Sequence, residues 1–453
     1  MLFKLILAGI LFLSLLLVGA CYLIWAFSHF GWIQLLAKGQ KFPSLGISFL
    51  ILLITAVFFV CSLSFVDAIV IFFHTVVFFL LSGVLLFVFK IFSKHEPTFY
   101  LQGWIAITVT LLTLSIAYFH CTHVWQKDYH LETDKSLAPL RVAMLSDIHL
   151  GTTFNSQGFT HYLQRIESQH PDILLIPGDF VDYTAQREDL RLAAKALGEL
   201  SIPYGVWFSF GNHDEPSLGV RNFSGDEFRQ ILTEQHIHIL EDSCELIDNR
   251  FYIAGRKDRS MGPRTSIQDL LAPLDTSKYI IVLDHQPNDY ANEAESSADL
   301  ILSGHTHGGQ LFPIHWIGRW IGAFDRAYGY ERRNATDFIV TSGISDWAMH
   351  FKTGARSEYV IIRKACVNVL LHVTECLKKH VISTLLCVYC VSSCLSASAN
   401  VLTSVGKMLS LVVKKCDKKE GPSQPLLAEK KRQYEISLTY FHRKAKSLSF
   451  PMV

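Results

Sequence analysis

Apolar positions are unevenly distributed along this chain. Long uninterrupted runs fill its first quarter, and after Gln126 they give way to short runs separated by polar segments. A helix needs about 20 apolar residues to cross a hydrocarbon layer about 30 Å thick. Leu5 to Phe27 meets that length. Lys4 ahead of it gives the look of a signal peptide, but the length of the run and the spans that follow predict a retained helix. Ile47 to Phe89 is too long for one crossing, and Asp67 with Ser62 and Ser64 near its middle predicts a tight turn between two spans. Gly103 to Ala117 is the fourth, with Tyr100 and Tyr118 placed to anchor its ends at the two interfaces. The expectation is an N-terminal multi-span α-helical membrane module of about four helices over residues 1–126.

From Leu140 the period changes. Short β-rich runs alternate with amphipathic stretches, the pattern of βαβ units. The predicted strands are Leu140 to Leu145, Asp172 to Ile176, Tyr204 to Ser209, Tyr279 to Leu283 and Asp299 to Ser303. Between them Phe159, Leu163 and Ile166 recur at helical spacing, as do Leu190, Ala194 and Leu197, so helices should pack on the sheet. This α/β domain is expected over 138–363, followed by a tail over 364–453. Within the tail, 381–405 is uncharged and rich in Ser and Cys, and reads as a fifth membrane segment, a surface helix or a disordered stretch. Beyond it Lys414, Lys415, Lys418, Lys419, Lys430, Lys431 and Arg432 form a basic segment suited to anionic lipid or to solvent.

Composition agrees with a division between lipid and water: 50% of the 453 residues are hydrophobic and 18% charged. A net charge of +1 supplies no basic field, so no nucleic-acid partner is expected. Of ten cysteines only Cys244 falls in the middle of the predicted soluble domain, which excludes a disulfide scaffold there. Asp67 would be costly at bilayer depth, but its place at a turn favours a structural role. His74 and His120 are isolated and trace no polar pathway, so the spans read as an anchor. Lys38 and Lys41 follow the first span, and Lys90 and Lys94 the third. Placed in the cytosol, they send the soluble domain to the lumenal or extracellular face, against Lys4 and Lys127. The sequons Asn222-Phe-Ser224 and Asn334-Ala-Thr336 agree with that orientation.

Candidate chemistry follows the strands. The first ends in Asp147-Ile-His149 and the second in Gly178-Asp179-Phe-Val-Asp182. The third ends in Gly211-Asn212-His213-Asp214, the fourth in Asp284-His285, and the fifth in Gly304-His305-Thr-His307-Gly308. Open α/β sheets form their sites beyond the strand termini. An Asp-x-His or Gly-Asp turn alone is ordinary loop chemistry, but five such groups in order are not.

This series resembles the calcineurin-like metallophosphoesterases, a resemblance that covers the soluble half and leaves the spans unexplained. It implies an α/β/β/α sandwich carrying two divalent metal ions. One would be held by Asp147, His149, Asp179 and His307, the other by Asp179, Asn212, His285 and His305, with Asp179 shared. Mixed carboxylate, amide and imidazole ligands suit Mn, Fe or Zn. A hydroxide bridging the metals would be the nucleophile, and the substrate a phosphoester or phosphoanhydride. His213 would match the family's catalytic histidine, oriented by Asp182. Asp284, beside His285 in the chain, could orient that imidazole, since metal-bound histidines generally have such a partner. The Ser/Thr protein phosphatases of that superfamily carry arginines where this chain has Tyr183 and Phe210, which disfavours phosphoprotein. A phosphorylated small molecule or a lipid-linked substrate is left, with membrane lipid as a further partner. Tyr204, Trp207, Trp316, Trp320 and Tyr328 could line an apolar or nucleobase pocket or be core. A catalytically silent metal-binding receptor or scaffold is the alternative function.

Overall fold

The computed structural model describes residues 2–93, 99–215 and 221–366. The tail calls, including the segment at 381–405 and the basic residues after it, lie outside the described residues.

Four of the first five helices are long enough to cross a membrane. They are α1 (Leu2–Phe27), α3 (Lys41–Ser62), α4 (Phe65–Phe92) and α5 (Leu101–Thr122), with the short α2 (Gly31–Leu36) after the first. At about 1.5 Å per residue even the shorter ones reach about 33 Å. The predicted turn falls at Leu63–Ser64, where the Ser64 hydroxyl accepts from the Asp67 amide at 3.0 Å and caps α4. One end of the bundle gathers Leu23 and Ala26 of α1, Phe79 of α4 and Ala106 of α5. The other end joins Val70 of α4 and Leu114 and Ala117 of α5 to Met349 and Phe351, which belong to the α/β part of the chain.

That part follows α5 directly. β1 (Trp125–Thr133) begins three residues after Thr122 and pairs in parallel along nine positions with β12 (Glu358–Cys366). β2 (Leu140–Met144), β3 (Ile173–Pro177), β4 (Val206–Ser209) and β5 (His238–Leu240) complete the first sheet in the order β1-β12-β2-β3-β4-β5. The second sheet has the order β10-β11-β9-β8-β7-β6. Its strands are β6 (Ser243–Ile247), β7 (Phe251–Gly255), β8 (Tyr279–Leu283), β9 (Leu300–Ser303), β10 (Gly329–Arg333) and β11 (Thr336–Val340). Ile173–Pro177 and Tyr279–Leu283 are buried at every position, as expected of parallel strands covered on both faces.

Between the sheets lies an apolar layer of Val142, Met144, Leu175, Ile253, Ile281, Leu302 and Val360. Outside the first sheet α6 (Ser156–Glu167), α7 (Arg187–Gly198) and α8 (Gly225–Glu234) bury Phe159, Leu163, Ile166, Leu190, Ala194, Leu197 and Phe228. Asn155 caps α6 and Ser224 caps α8 through side-chain oxygens, which satisfies amides that a helix start leaves unpaired. Outside the second sheet α9 (Ile267–Leu271) and α10 (Tyr290–Ala294) cover Ile280, Val282 and Phe338, and α11 (Ile314–Trp320) stands apart. The layers are therefore α/β/β/α, as the resemblance implies. Trp207 stacks on His238 with ring centroids 4.1 Å apart, and Tyr204 lies against Phe251, so these two strand aromatics are packing residues.

Candidate metal centre

β2, β3, β4, β8 and β9 all end on one side of the sandwich, and the predicted chemistry converges there. Asp147, His149 and His307 form one group of potential ligands, and Asp179, His285 and His305 another. Within each group, donor atoms lie within 4.8 Å of one another. Asn212 completes the second, its amide oxygen 2.7 Å from His305 Nδ1 and 3.2 Å from His285 Nε2. Asp179 lies between the two: one carboxylate oxygen is 3.1 Å from His285 Nε2 and 3.5 Å from His149 Nε2.

The backbone is bent to achieve this. Asp147, His149, Asp179, His305 and His307 all have positive φ, between 41° and 70°, a region that non-glycine residues avoid and that collects at functional sites. Glycine supplies the remaining room. A Cβ on Gly211 would strike the Asp179 carboxylate, and one on Gly304 would strike Asp147 and Ser146.

The donor set fits cations. Asp147 Oδ2 and both ring nitrogens of His149 are buried with no hydrogen-bond partner among the described residues, and a buried polar atom left so is costly unless something else engages it. Burial pushes His149 down to about 3. Burial, with His285 alongside, pushes His305 down to about 4. Both are therefore neutral, the state in which imidazole binds metal. Burial acts the same way on His285 and His307, but Asp179 beside the first and Asp147 with Asp346 beside the second hold both above the usual value.

The rings of His285 and His307 are also oriented from behind. His285 Nδ1 lies 2.8 Å from the Pro177 carbonyl, which can only accept, so Nδ1 carries a proton and Nε2 faces inward, 3.1 Å from the Asp179 carboxylate. Asp284 does not do this work: it pairs with Arg256 at 2.7 Å and Arg264 at 2.9 Å, facing away from the imidazole. His307 Nδ1 is 3.2 Å from Asp346 Oδ1, and Asp346 is in turn held by the buried Lys352 at 3.3 Å. Asp346 and Lys352 were not read from the sequence. They sit in a loop with no strand-end signature and are recognisable only by what they touch.

Asp214 is a third residue whose work the sequence did not reveal. Its carboxylate accepts from the amides of Asp179, Phe180, Val181 and Gly211 at 2.7–3.2 Å. It thereby clamps the turn after β3 to the turn after β4, which fixes Asp179 relative to Asn212.

His213 lies over the first group, its ring 4.9 Å from that of His149. Asp182 Oδ1 is 3.6 Å from His213 Nδ1, close but beyond a hydrogen bond, and Asp182 is itself fixed by the Thr152 hydroxyl at 2.8 Å. Tyr183 and Trp347 stand against His213 at ring distances of 4.9 and 5.5 Å. Phe210 is fully buried beneath Arg229 and does not face the site. Arg221 donates to the carbonyls of Asp182 and Asp214, so its guanidinium serves the backbone and not a phosphate.

A calcineurin-like phosphoesterase family model matches residues 140–309, the interval that holds every one of these strand-end groups. An uncharacterized metallophosphoesterase of Aquifex aeolicus is 34% identical over 222 residues, which cover 47% of this chain and 81% of that one. The chain belongs to the calcineurin-like phosphoesterase family. As a member it is a metal-dependent phosphoric ester hydrolase. It is also 30% identical over 247 residues to the Danio rerio transmembrane protein with metallophosphoesterase domain, covering 51% of this chain and 55% of that one. The chain thus spans about half the length of that relative. Among solved structures, a dimetal phosphatase from Danio rerio is similar at a TM-score of 0.31 and 11% identity, covering 45% of this chain and 87% of that one.

In this phosphoesterase the N-terminal helices reach the loop beside the site. Asp67, fully buried at the start of α4, accepts from the His350 amide at 2.7 Å and lies 2.8 Å from His350 Nδ1. His350 Nε2 in turn faces the Thr152 carbonyl at 3.3 Å. The predicted turn is present just before Asp67, but the carboxylate does more than sit in the first turn of α4. Its hydrogen bond, outweighing burial, raises the His350 pKa. For a raised folded-state pKa, the stabilisation is fully present below the unfolded value of about 6.5 and is lost as pH rises through the folded value. Asp67→Asn should therefore lower stability by roughly 2 kcal/mol at pH 6 and by less at pH 9. Thermal unfolding of the full chain in detergent at the two pH values checks this, and an equal loss at both would refute the titrating link.

Proposed function

We propose that the chain is a membrane-anchored, dinuclear phosphoesterase that hydrolyses a phosphoester or phosphoanhydride. The observation that carries this reading is Asp179. Its carboxylate stands within 3.5 Å of an imidazole from each ligand group, where one side chain can serve two cations. Asp147, His149, Asp179 and His307 would hold one, and Asp179, Asn212, His285 and His305 the other. Imidazole, amide and carboxylate donors together suit Mn, Fe or Zn. Two such ions when bound supply water activation and charge neutralisation at phosphorus.

The chain's own groups do the rest. Asp346 and the Pro177 carbonyl fix the ring faces, and Asp214 sets the distance between the two strand-end turns. His213 stands over the site to give a proton to the leaving oxygen, with Asp182 and Thr152 placed to restrain it. No arginine side chain stands in place to grip a phosphate dianion among the groups just described. This favours phosphodiesters, pyrophosphates and lipid-linked phosphates over phosphoprotein.

Turnover of bis-p-nitrophenyl phosphate by the purified full chain, with metal analysis of the same sample, tests the reading. Two metal equivalents with no turnover under any divalent cation would instead describe a silent metal-binding receptor.

We also propose that four helices cross the membrane and that the α/β domain lies on the lumenal or extracellular side. Lys38, Lys41 and Lys90 fall at the bundle end away from Met349 and Phe351, as the positive-inside tendency asks. Asn222 and Asn334 of the two sequons are both exposed. A protease added outside sealed endoplasmic reticulum vesicles should spare the domain, and its complete digestion there would reverse the orientation.

A further inference from the structure

The segment after the His305–His307 pair runs Leu311-Phe-Pro-Ile-His-Trp-Ile-Gly-Arg-Trp-Ile321 and contains no acidic residue. It begins against the membrane spans. Leu311 packs with Val70 of α4 and Leu114 and Ala117 of α5. The Gln310 carbonyl accepts from the Thr353 amide, and the Lys352 amide donates to the Ala117 carbonyl in the last turns of α5. From that anchored start, α11 turns Phe312, Trp316, Ile317, Trp320 and Ile321 outward. Trp320 is 87% exposed and Ile321 67% exposed, values unusual for side chains of that size unless a non-aqueous surface meets them. Tryptophan with isoleucine and a lone arginine is the composition of a segment lying at the level of lipid headgroups. The same surface leads to the metal centre, because Trp347 is part-exposed, its carbonyl accepts from the Gln310 side chain at 2.8 Å, and its ring stands 5.5 Å from that of His213.

We propose that α11 lies in the leaflet on the domain side of α4 and α5 and that the metal centre takes its phosphoester from a lipid resident in that leaflet. The proposal rests on the hydrolase reading above. Continuity decides the occupant. The apolar face starts within the packing cluster that holds the spans, so the bilayer around those spans already reaches it, whereas a soluble partner would have to bind across the headgroups. The acyl or alkyl chains of the substrate stay in lipid while its phosphoryl group passes Trp347 to the ligands. In the reaction a water oxygen bonds to phosphorus as the P–O bond to the leaving alcohol breaks. The bonding pair goes to that oxygen, which takes a proton, and the phosphoryl product keeps the remaining oxygens.

The test uses two diesters with the same leaving group, so that chemistry is held constant: hexadecyl 4-nitrophenyl phosphate in phosphatidylcholine vesicles, and methyl 4-nitrophenyl phosphate in solution. The full chain reconstituted in those vesicles should turn over the hexadecyl ester at least about tenfold faster at equal bulk concentration, since membrane residence of both raises their effective concentration. In Trp320→Ser with Ile321→Ser the ratio should fall severalfold, because the spans still hold enzyme and ester in one membrane while α11 no longer seats the site at the headgroups, and Trp320→Phe alone should preserve it. A wild-type ratio near one, or a ratio unchanged in the double variant, overturns the proposal while leaving the hydrolase intact. A change of oligomeric state in the double variant with the ratio kept would give α11 to a second copy instead, which also overturns it. Cleavage of neither ester would overturn the hydrolase reading itself, and this inference with it.

Discussion

Asp179→Asn should abolish turnover and lower metal content at both positions at once. Every other proposed ligand belongs to one group, but the Asp179 carboxylate reaches His285 on one side and His149 on the other. Its second oxygen also accepts from the His213 amide at 2.8 Å, so the substitution disturbs the turn that carries His213. An amide keeps the shape and loses the charge that two cations share. Metal catalysis supplies several kcal/mol, so turnover should fall by roughly 10³-fold or more. Asn212→Ala should reduce occupancy mainly at the His285–His305 position. Metal analysis of the two proteins side by side is the measurement. Full occupancy by two ions in Asp179→Asn would remove the shared-ligand assignment.

His213→Asn should behave in the opposite way, keeping the metals and losing the rate. His213 touches neither ligand group through a shared hydrogen bond of its ring, and its Nδ1 has no hydrogen-bond partner among the described residues. It is nonetheless held in place by Tyr183, Trp347 and the ring of His149. A proton donated to the departing oxygen contributes roughly 10²- to 10⁴-fold. That loss should appear in full for alkyl esters, whose leaving oxygen is strongly basic, and should shrink for nitrophenyl esters, whose leaving group departs unaided. Equal impairment on both would show that His213 is not a general acid. Loss of metal would place it among the structural groups.

Asp182→Ala separates restraint from proton transfer in the same assay. Thr152 ties Asp182 to the loop that carries His149, and the same loop offers its carbonyl to His350, the partner of Asp67. The bundle therefore bears on the loop that restrains His213. The N-terminal helices and the strand-end groups are thus tied by direct contacts through His350 and Thr152.

What the sequence could determine on its own was whatever local pattern encodes. The four long apolar helices follow from run length against bilayer thickness. β8 matches its predicted bounds, β2, β4 and β9 differ by one or two residues at one end, and β3 is shifted by one residue at both, because strands covered on both faces must be continuously apolar. The strand-end groups of Asp, Asn and His were legible for a related reason. Each sits directly after such a run, where an α/β sheet leaves its backbone free to turn.

Tertiary structure alone decided the contacts between distant stretches. Asp67 and His350 are 283 residues apart, and neither carries a periodic signal that points to the other. Asp346 and Lys352 lie in an irregular loop and acquire meaning only because β12 brings that loop beneath His307. Asp214 looked like the tail of a motif until four backbone amides were found to converge on it. β1, with its polar alternation, has an identity as a strand only beside β12. Asp284 shows the converse: adjacency in sequence suggested that it orients His285, but successive residues at a strand end point to opposite faces, and the carboxylate turns to Arg256 and Arg264 instead.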